Sequence, residues 1–173
     1  MEKLFSPWRS KYIATFKDEK LRQGESLFTR ILKERNDSKN LVLTRKKHCF
    51  VMMNLFPYNS GHVMIVPYKQ TPNLSGLTKE EYAEIMQTAE EIMRALDVVM
   101  KPHGFNFGAN IGRVAGAGID DHIHFHIVPR WNGDTNFMPV LSDVKVVSED
   151  LQQTYKKIKA ALQSHTKTTK KKR

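Results

Sequence analysis

Asp120-Asp121-His122-Ile123-His124-Phe125-His126-Ile127-Val128-Pro129-Arg130 decides how the rest of this 173-residue sequence is read. Polar and apolar residues alternate strictly from His122 to Ile127. Side chains on a β-strand point to opposite faces in turn, so the period predicts a strand over His122–Val128. Ile123, Phe125 and Ile127 then face a core. His122, His124 and His126 share the other face, with neighbours about 6.6 Å apart. Three imidazoles in a row on one face are costly unless each is hydrogen-bonded or takes part in chemistry.

Outward from this strand, the chain reads as alternating short strands and helices. Upstream, Phe105–Ile111 is apolar enough for a strand and leads into a loop with Gly112, Gly116 and Gly118. Before it, Lys79–Met100 carries apolar residues at Tyr82, Ile85, Met86, Ala89, Ile92, Met93, Leu96 and Met100, the stripe of an amphipathic helix. Thr78 and Glu81 have the spacing of a capping box at its start, and Pro102 and Gly104 end it. Further upstream, Leu41–Arg45, Cys49–Asn54 and His62–Val66 read as strands of an antiparallel meander, the last two joined by a turn at Pro57–Gly61. Leu21–Arg35 has helical spacing, and a last helix is expected from about Ser148. The sum is a single α+β domain over residues 1–163.

Composition limits what such a domain can be. A lone Cys49 excludes an internal disulfide framework and a cysteine-only metal site. No apolar run approaches the 18 or so residues of a membrane span. The start, Met1–Tyr12, lacks the apolar stretch of a signal peptide, so a cytoplasmic protein is expected. The net charge of +10 suggests a polyanion-binding surface until it is located. Residues 1–47 carry +7, residues 48–163 carry −2 and residues 164–173 carry +5. The last ten residues, polar and basic, are expected to be a disordered tail. Nucleic acid is not the expected partner.

Two chemistries suit the histidine face. His-x-His on a strand can chelate zinc or iron. Alternatively, one imidazole is a nucleophile and the others orient and assist it. The glycine-rich loop immediately upstream favours the second, because glycine lets backbone N–H groups approach a phosphate.

The segment His122–Val128 resembles the signature of the histidine triad (HIT) superfamily of nucleotide hydrolases and transferases. The resemblance extends to Asn54-Leu-Phe-Pro-Tyr-Asn-Ser-Gly-His62, which is similar to the family's nucleotide-binding hairpin. Ser6–Tyr12 and Pro129–Phe137 are similar to the branch that holds diadenosine tetraphosphate phosphorylase and the fragile histidine triad proteins. The resemblance implies a HIT-like fold, with an antiparallel sheet of about five strands, a long helix and a C-terminal helix. It also implies a homodimer paired through the long helix and its neighbouring strand.

By the same resemblance, His124 is the nucleophile that forms a nucleotidyl-histidine. The His122 carbonyl orients it, and His126 donates to phosphate oxygens. Asn110 contacts the α-phosphate, Asn54 the ribose, and His62 stands beside the triad. Met52 and Met64 would line the base pocket, Gly116 and Gly118 the phosphate loop, and Asn136 and Arg130 would reach a distal phosphate or a partner subunit. The implied activity is cleavage of dinucleoside polyphosphates at the α-phosphate, by hydrolysis or phosphorolysis. A nucleoside phosphoramidase and a nucleotide-binding sensor are the alternatives.

The sequence departs from the family pattern in two places. Many relatives carry Cys-x-x-Cys and a further histidine that hold a structural zinc. Here Ser26-Leu-Phe-Thr29 and Gln70 stand there, so no metal and no tightly bound cofactor are expected; Mg2+ accompanying the nucleotide is left open. The loop before the triad lacks the hydroxyl residue of the phosphoramidase branch and is longer by one residue.

Overall fold

The computed structural model describes residues 24–134 and 150–170, with the side chains of 165–170 left out of account. Within these residues five strands form one antiparallel sheet: β1 (Val42–Arg45), β2 (Cys49–Met53), β3 (Val63–Pro67), β4 (Gly104–Gly108) and β5 (Phe125–Arg130). Their order is β1-β2-β3-β5-β4. Three α-helices accompany them: α1 (Leu27–Glu34), α2 (Lys79–Met100) and α3 (Leu151–Lys170). The class is α+β, as the sequence predicts. No helix of the described residues is long and apolar enough to cross a membrane.

Strand alternation sorts the core into two layers. Val51, Met53, Ile65, Phe125 and Ile127 face one side, where they pack with Ile85, Ile92 and Leu96 of α2 and Ile158 and Leu162 of α3. Phe50, Met52, Met64 and Val66 face the other side and pack under Leu27, Phe28 and Ile31 of α1. Removal of this apolar surface from water is the main stabilising term. The capping box of α2 forms as expected: Glu81 N–H donates to Thr78 Oγ1, and Thr78 N–H donates to Glu81 Oε2 at 2.7 Å. The side chain of Glu84 on α2 accepts from the N–H groups of Lys47 and His48 in the β1–β2 turn, which ties helix to sheet. Cys49 is buried beneath α2, and burial pushes its thiol up to about 11, so it is inert as a nucleophile.

Several boundaries differ from the sequence reading: β4 ends at Gly108 rather than Ile111, and β5 runs through Pro129 to Arg130. The first helix starts at Leu27 rather than Leu21, because Ser26 caps it by accepting from Thr29 N–H at 3.2 Å. The triad strand enters its ladder at Phe125, three residues later than expected. Tyr68 N–H turns to the carbonyl of His48 just before β2, so the adjacent Pro67 faces β5 and has no N–H to extend the ladder. Finally, α3 continues to Lys170 through much of the segment expected to be a disordered tail. A packed helix propagates into polar sequence more readily than such a sequence nucleates alone.

Candidate active site

The site is built where β5 and the segment before it lie beside β3. His122, His124 and His126 are all buried, with 0%, 5% and 8% exposure. They fall on the α1 side of the sheet, as alternation requires, and Ile123 and Phe125 fall on the α2 side. Phe28 of α1 packs against them, its ring centroid 5.3 Å from that of His122 and 5.1 Å from that of His124.

The hydrogen bonds fix how each ring carries its proton. His122 Nε2 lies 2.9 Å from the carbonyl of Pro67. A carbonyl only accepts, so Nε2 carries the hydrogen. The other nitrogen, Nδ1, is then an acceptor, and it lies 2.6 Å from the hydroxyl of Ser26. His124 Nδ1 lies 3.0 Å from the carbonyl of His122. It must donate, which leaves the lone pair on His124 Nε2. Burial lowers the pKa of His124 below its ordinary value, opposed by the hydrogen bond to the His122 carbonyl. Burial likewise lowers that of His122, opposed by the Pro67 carbonyl. Both rings are therefore neutral at neutral pH.

A second relay starts at the backbone. Tyr58 N–H donates to His62 Nδ1 at 3.0 Å, so His62 carries its hydrogen on Nε2. His62 Nε2 lies 2.9 Å from His126 Nδ1 and donates to it. The hydrogen of a neutral His126 is thereby on Nε2. His62 is fully buried, and burial lowers its pKa to about 3, with smaller repulsive contributions from His126 and His124. Tyr58, whose ring lies 4.6 Å from that of His62 and 5.6 Å from that of His126, was not legible as a site residue. Its only sequence signal is its place in the turn before His62.

The other expected site residues fall out unevenly. Asn54 is buried beside His62; its amide nitrogen is 3.3 Å from His62 Nδ1 and its oxygen accepts from Phe56 N–H. Asn110 donates to the Tyr58 hydroxyl at 3.4 Å, which links it to the triad side of the sheet. Met52 and Met64 are both buried in the cluster under α1, where strand alternation puts them. The glycine loop is partly closed on itself. The N–H groups of Ala115, Gly116 and Ala117 bond to carbonyls of Arg113 and Gly112 inside the loop. Gly116 is needed there for its φ of 92°, a left-handed conformation that closes a short 3₁₀ turn. Gly118 lies in the same loop with no side chain to contribute. Arg130 does not reach out: Asp134 grips it with two hydrogen bonds and Asn106 takes a third. Asn136 lies outside the described residues.

Ser26, Thr29 and Gln70, which stand where the resemblance implies zinc ligands, also come together. Ser26 N–H and the Thr29 hydroxyl both donate to Gln70 Oε1, at 3.2 and 3.1 Å, beside the Ser26–His122 bond. Neutral hydroxyl and amide oxygens are poor partners for zinc, which prefers thiolate and imidazole, so this donor set does not suit the metal.

His124 just before β5 and His126 on it, hydrogen-bonded through their Nδ1 atoms in opposite senses, with His122 in front and His62 beside, define the site of a histidine triad protein. The chain belongs to the HIT family, whose domain it matches over residues 35–133. A Mycobacterium tuberculosis (strain ATCC 25618 / H37Rv) protein named AP-4-A phosphorylase is 37% identical over 158 residues, or 89% of this chain and 80% of its own. A Dictyostelium discoideum protein named bis(5'-adenosyl)-triphosphatase is 33% identical over 81 residues, 47% of this chain and 54% of its own. The fold is that of a zinc-bound histidine triad family protein from Mycobacterium smegmatis, with a TM-score of 0.68, 23% identity and coverage of 83% of this chain and 97% of that one.

Proposed function

We propose that this protein cleaves dinucleoside polyphosphates such as diadenosine tetraphosphate at the α-phosphate, through a covalent nucleotidyl-histidine on His124, with inorganic phosphate as the acceptor. The observation that carries the reading is the bond from His124 Nδ1 to the His122 carbonyl at 3.0 Å. It places the lone pair of a neutral imidazole on Nε2, and a neutral imidazole is the nucleophile this chemistry needs. Membership of the HIT family and the name of the relative that spans 89% of the chain support the same class of substrate. That name also favours phosphate over water as acceptor, since the hydrolase-named relative above matches only 47% of the chain.

In the first step the Nε2 lone pair attacks the α-phosphorus. The P–N bond forms as the bridging P–O bond breaks, and ATP leaves. The imidazole gains positive charge, and the His122 carbonyl, already bonded to Nδ1–H, stabilises it. His126, protonated on Nε2, donates to the oxygens on which charge develops. In the second step an oxygen of inorganic phosphate attacks the same phosphorus and the P–N bond breaks. ADP leaves and His124 returns to its starting form. Two in-line displacements replace one difficult one.

This reading uses no resident cofactor; Mg2+ arriving with the polyphosphate would neutralise its charge. It includes a homodimer, which would cover Met86 and Val98, both exposed on α2, and the β4 end of the sheet, an edge among the described residues. A light-scattering mass equal to one chain would remove that part. The test of the activity is a product assay with diadenosine tetraphosphate. ADP plus ATP, formed only when phosphate is present, is the expected result. AMP plus ATP without phosphate dependence would replace phosphorolysis by hydrolysis, and no cleavage would overturn the reading.

A further inference from the structure

We propose that Ser26 is a positioning residue for the nucleophile, acting from the start of α1 through His122 onto His124. The inference rests on the reading of His124 as the nucleophile. Ser26 is 96 residues from His122 in sequence and buried at 1% exposure. Its hydroxyl is the partner of His122 Nδ1 at 2.6 Å, and Pro67 holds the opposite nitrogen at 2.9 Å. Together these two bonds hold the ring at both ends and fix one tautomer. The main chain of His122 supplies the carbonyl that fixes the tautomer of His124. The orientation of His124 Nε2 thus depends on a side chain that never reaches the substrate.

Ser26 is itself held in place. It caps α1 by accepting from Thr29 N–H, and its own N–H donates to Gln70 Oε1. The amide nitrogen of Gln70 donates to the Gly24 carbonyl and to Asp121 Oδ2, the residue before His122. All four bonds of the Gln70 amide therefore tie three segments together: the entry to α1, the chain after β3 and the start of the triad. Ser26 and His122 are buried, where an unsatisfied polar group is costly, and they satisfy each other; the Gln70 clamp lies at the exposed rim. The site performs with hydrogen bonds alone the joining of α1 to the triad that a metal could otherwise supply.

The test uses the full chain and two independent readouts. The first is the 15N NMR state of the His122 ring, which needs no turnover. In the wild type His122 should be protonated on Nε2, with Nδ1 shifted by an accepted hydrogen bond. The second is the single-turnover rate at which substrate labels His124. Ser26→Ala should remove the Nδ1 hydrogen-bond shift and slow labelling by about 10- to 100-fold, the usual cost of misplacing a reacting group by a fraction of an ångström to one ångström. Binding of AMP should change little, and Ser26→Thr, which keeps the hydroxyl, should restore both readouts. Should Ser26→Ala fail to fold, Gln70→Ala loosens the same clamp while leaving the hydroxyl, and should slow labelling in the same direction by less. Labelling at the wild-type rate in Ser26→Ala, or Gln70→Ala in its place, would overturn the proposal. So would a wild-type His122 found protonated on Nδ1, or one zinc per chain retained after dialysis. A wild type that never labels His124 would instead remove the proposed function, with the NMR result still deciding how Ser26 meets His122.

Discussion

His62 Nε2 donates to His126 Nδ1 at 2.9 Å, and this bond decides which nitrogen of His126 carries a proton. The direction is set from behind, because Tyr58 N–H can only donate and it points at His62 Nδ1. A backbone amide in the β2–β3 turn therefore determines, through one intermediate ring, the donor that His126 holds out.

Replacing His62 should therefore damage catalysis more than binding. His62→Phe keeps a ring in a fully buried place and removes both of its hydrogen-bonding nitrogens. His126 is then free to exchange between its tautomers, and only one of them can donate from Nε2. The expected loss is about 10- to 100-fold in kcat with a smaller change in KM. Steady-state kinetics and the 15N spectrum of His126 check the two halves, and a single unchanged tautomer in the variant would contradict the relay.

His124 and His126 should separate by the kind of loss they cause. His124→Ala removes the atom that forms the P–N bond, and activity should fall on the order of 10⁴- to 10⁶-fold, with nucleotide binding retained. His126→Ala removes a donor to the developing charge, worth about 10²- to 10³-fold in kcat. Rapid-quench measurement distinguishes them: the covalent adduct should be absent in the first and form slowly in the second. Comparable residual activity in both would argue against a covalent step.

The architecture was legible because its signals are periodic. The capping box at Thr78 and Glu81, the stripe on α2 and the alternation from His122 to Ile127 each follow from spacing alone. The triad could be picked out because three alternating histidines make a costly face unless they have work to do, whereas His62 came only through the resemblance of its hairpin. What the sequence could not show are relationships fixed by packing. Nothing local tells that Met52 and Met64 lie under α1, or that the N–H groups of the glycine loop close on their own turn. Ser26 and Gln70 could be noticed only as residues standing where zinc ligands were expected. Their real partners, His122 and Asp121, come from the far side of the fold.

Arg130 offers a check on that distinction. From sequence it could equally be a phosphate contact, yet its guanidinium is held by Asp134 and Asn106. Its pKa is raised by the Asp134 hydrogen bonds. Arg130→Ala should lower stability by about 1 kcal/mol, the scale of a partly exposed ion pair, and leave KM for the polyphosphate unchanged. Urea unfolding measures the first and saturation kinetics the second. A large rise in KM that grows with the number of phosphates would return Arg130 to the substrate.

The buried histidines should also make the protein sensitive to acid in a particular window. His62, His122 and His124 all have folded-state pKa values lowered by burial, that of His62 to about 3. Once unfolded, each titrates near 6.5. Between the two values the unfolded chain binds more protons than the native one, so stability rises with pH there and falls as pH is lowered. The full contribution is present above about pH 6.5, and each histidine then loses up to about 1.4 kcal/mol per pH unit on the way down, until its folded-state value is reached. Activity should follow a different course. His124 stays neutral below the ordinary histidine range, so the acid limb of kcat/KM should lie below about pH 6.5 wherever the fold survives. Urea midpoints measured between about pH 7.5 and 5 test the stability slope, and His62→Gln should flatten it by the share of one histidine. A slope that is unchanged in that variant would mean that His62 is protonated in the native state, and its Nδ1 could then not accept from Tyr58 N–H.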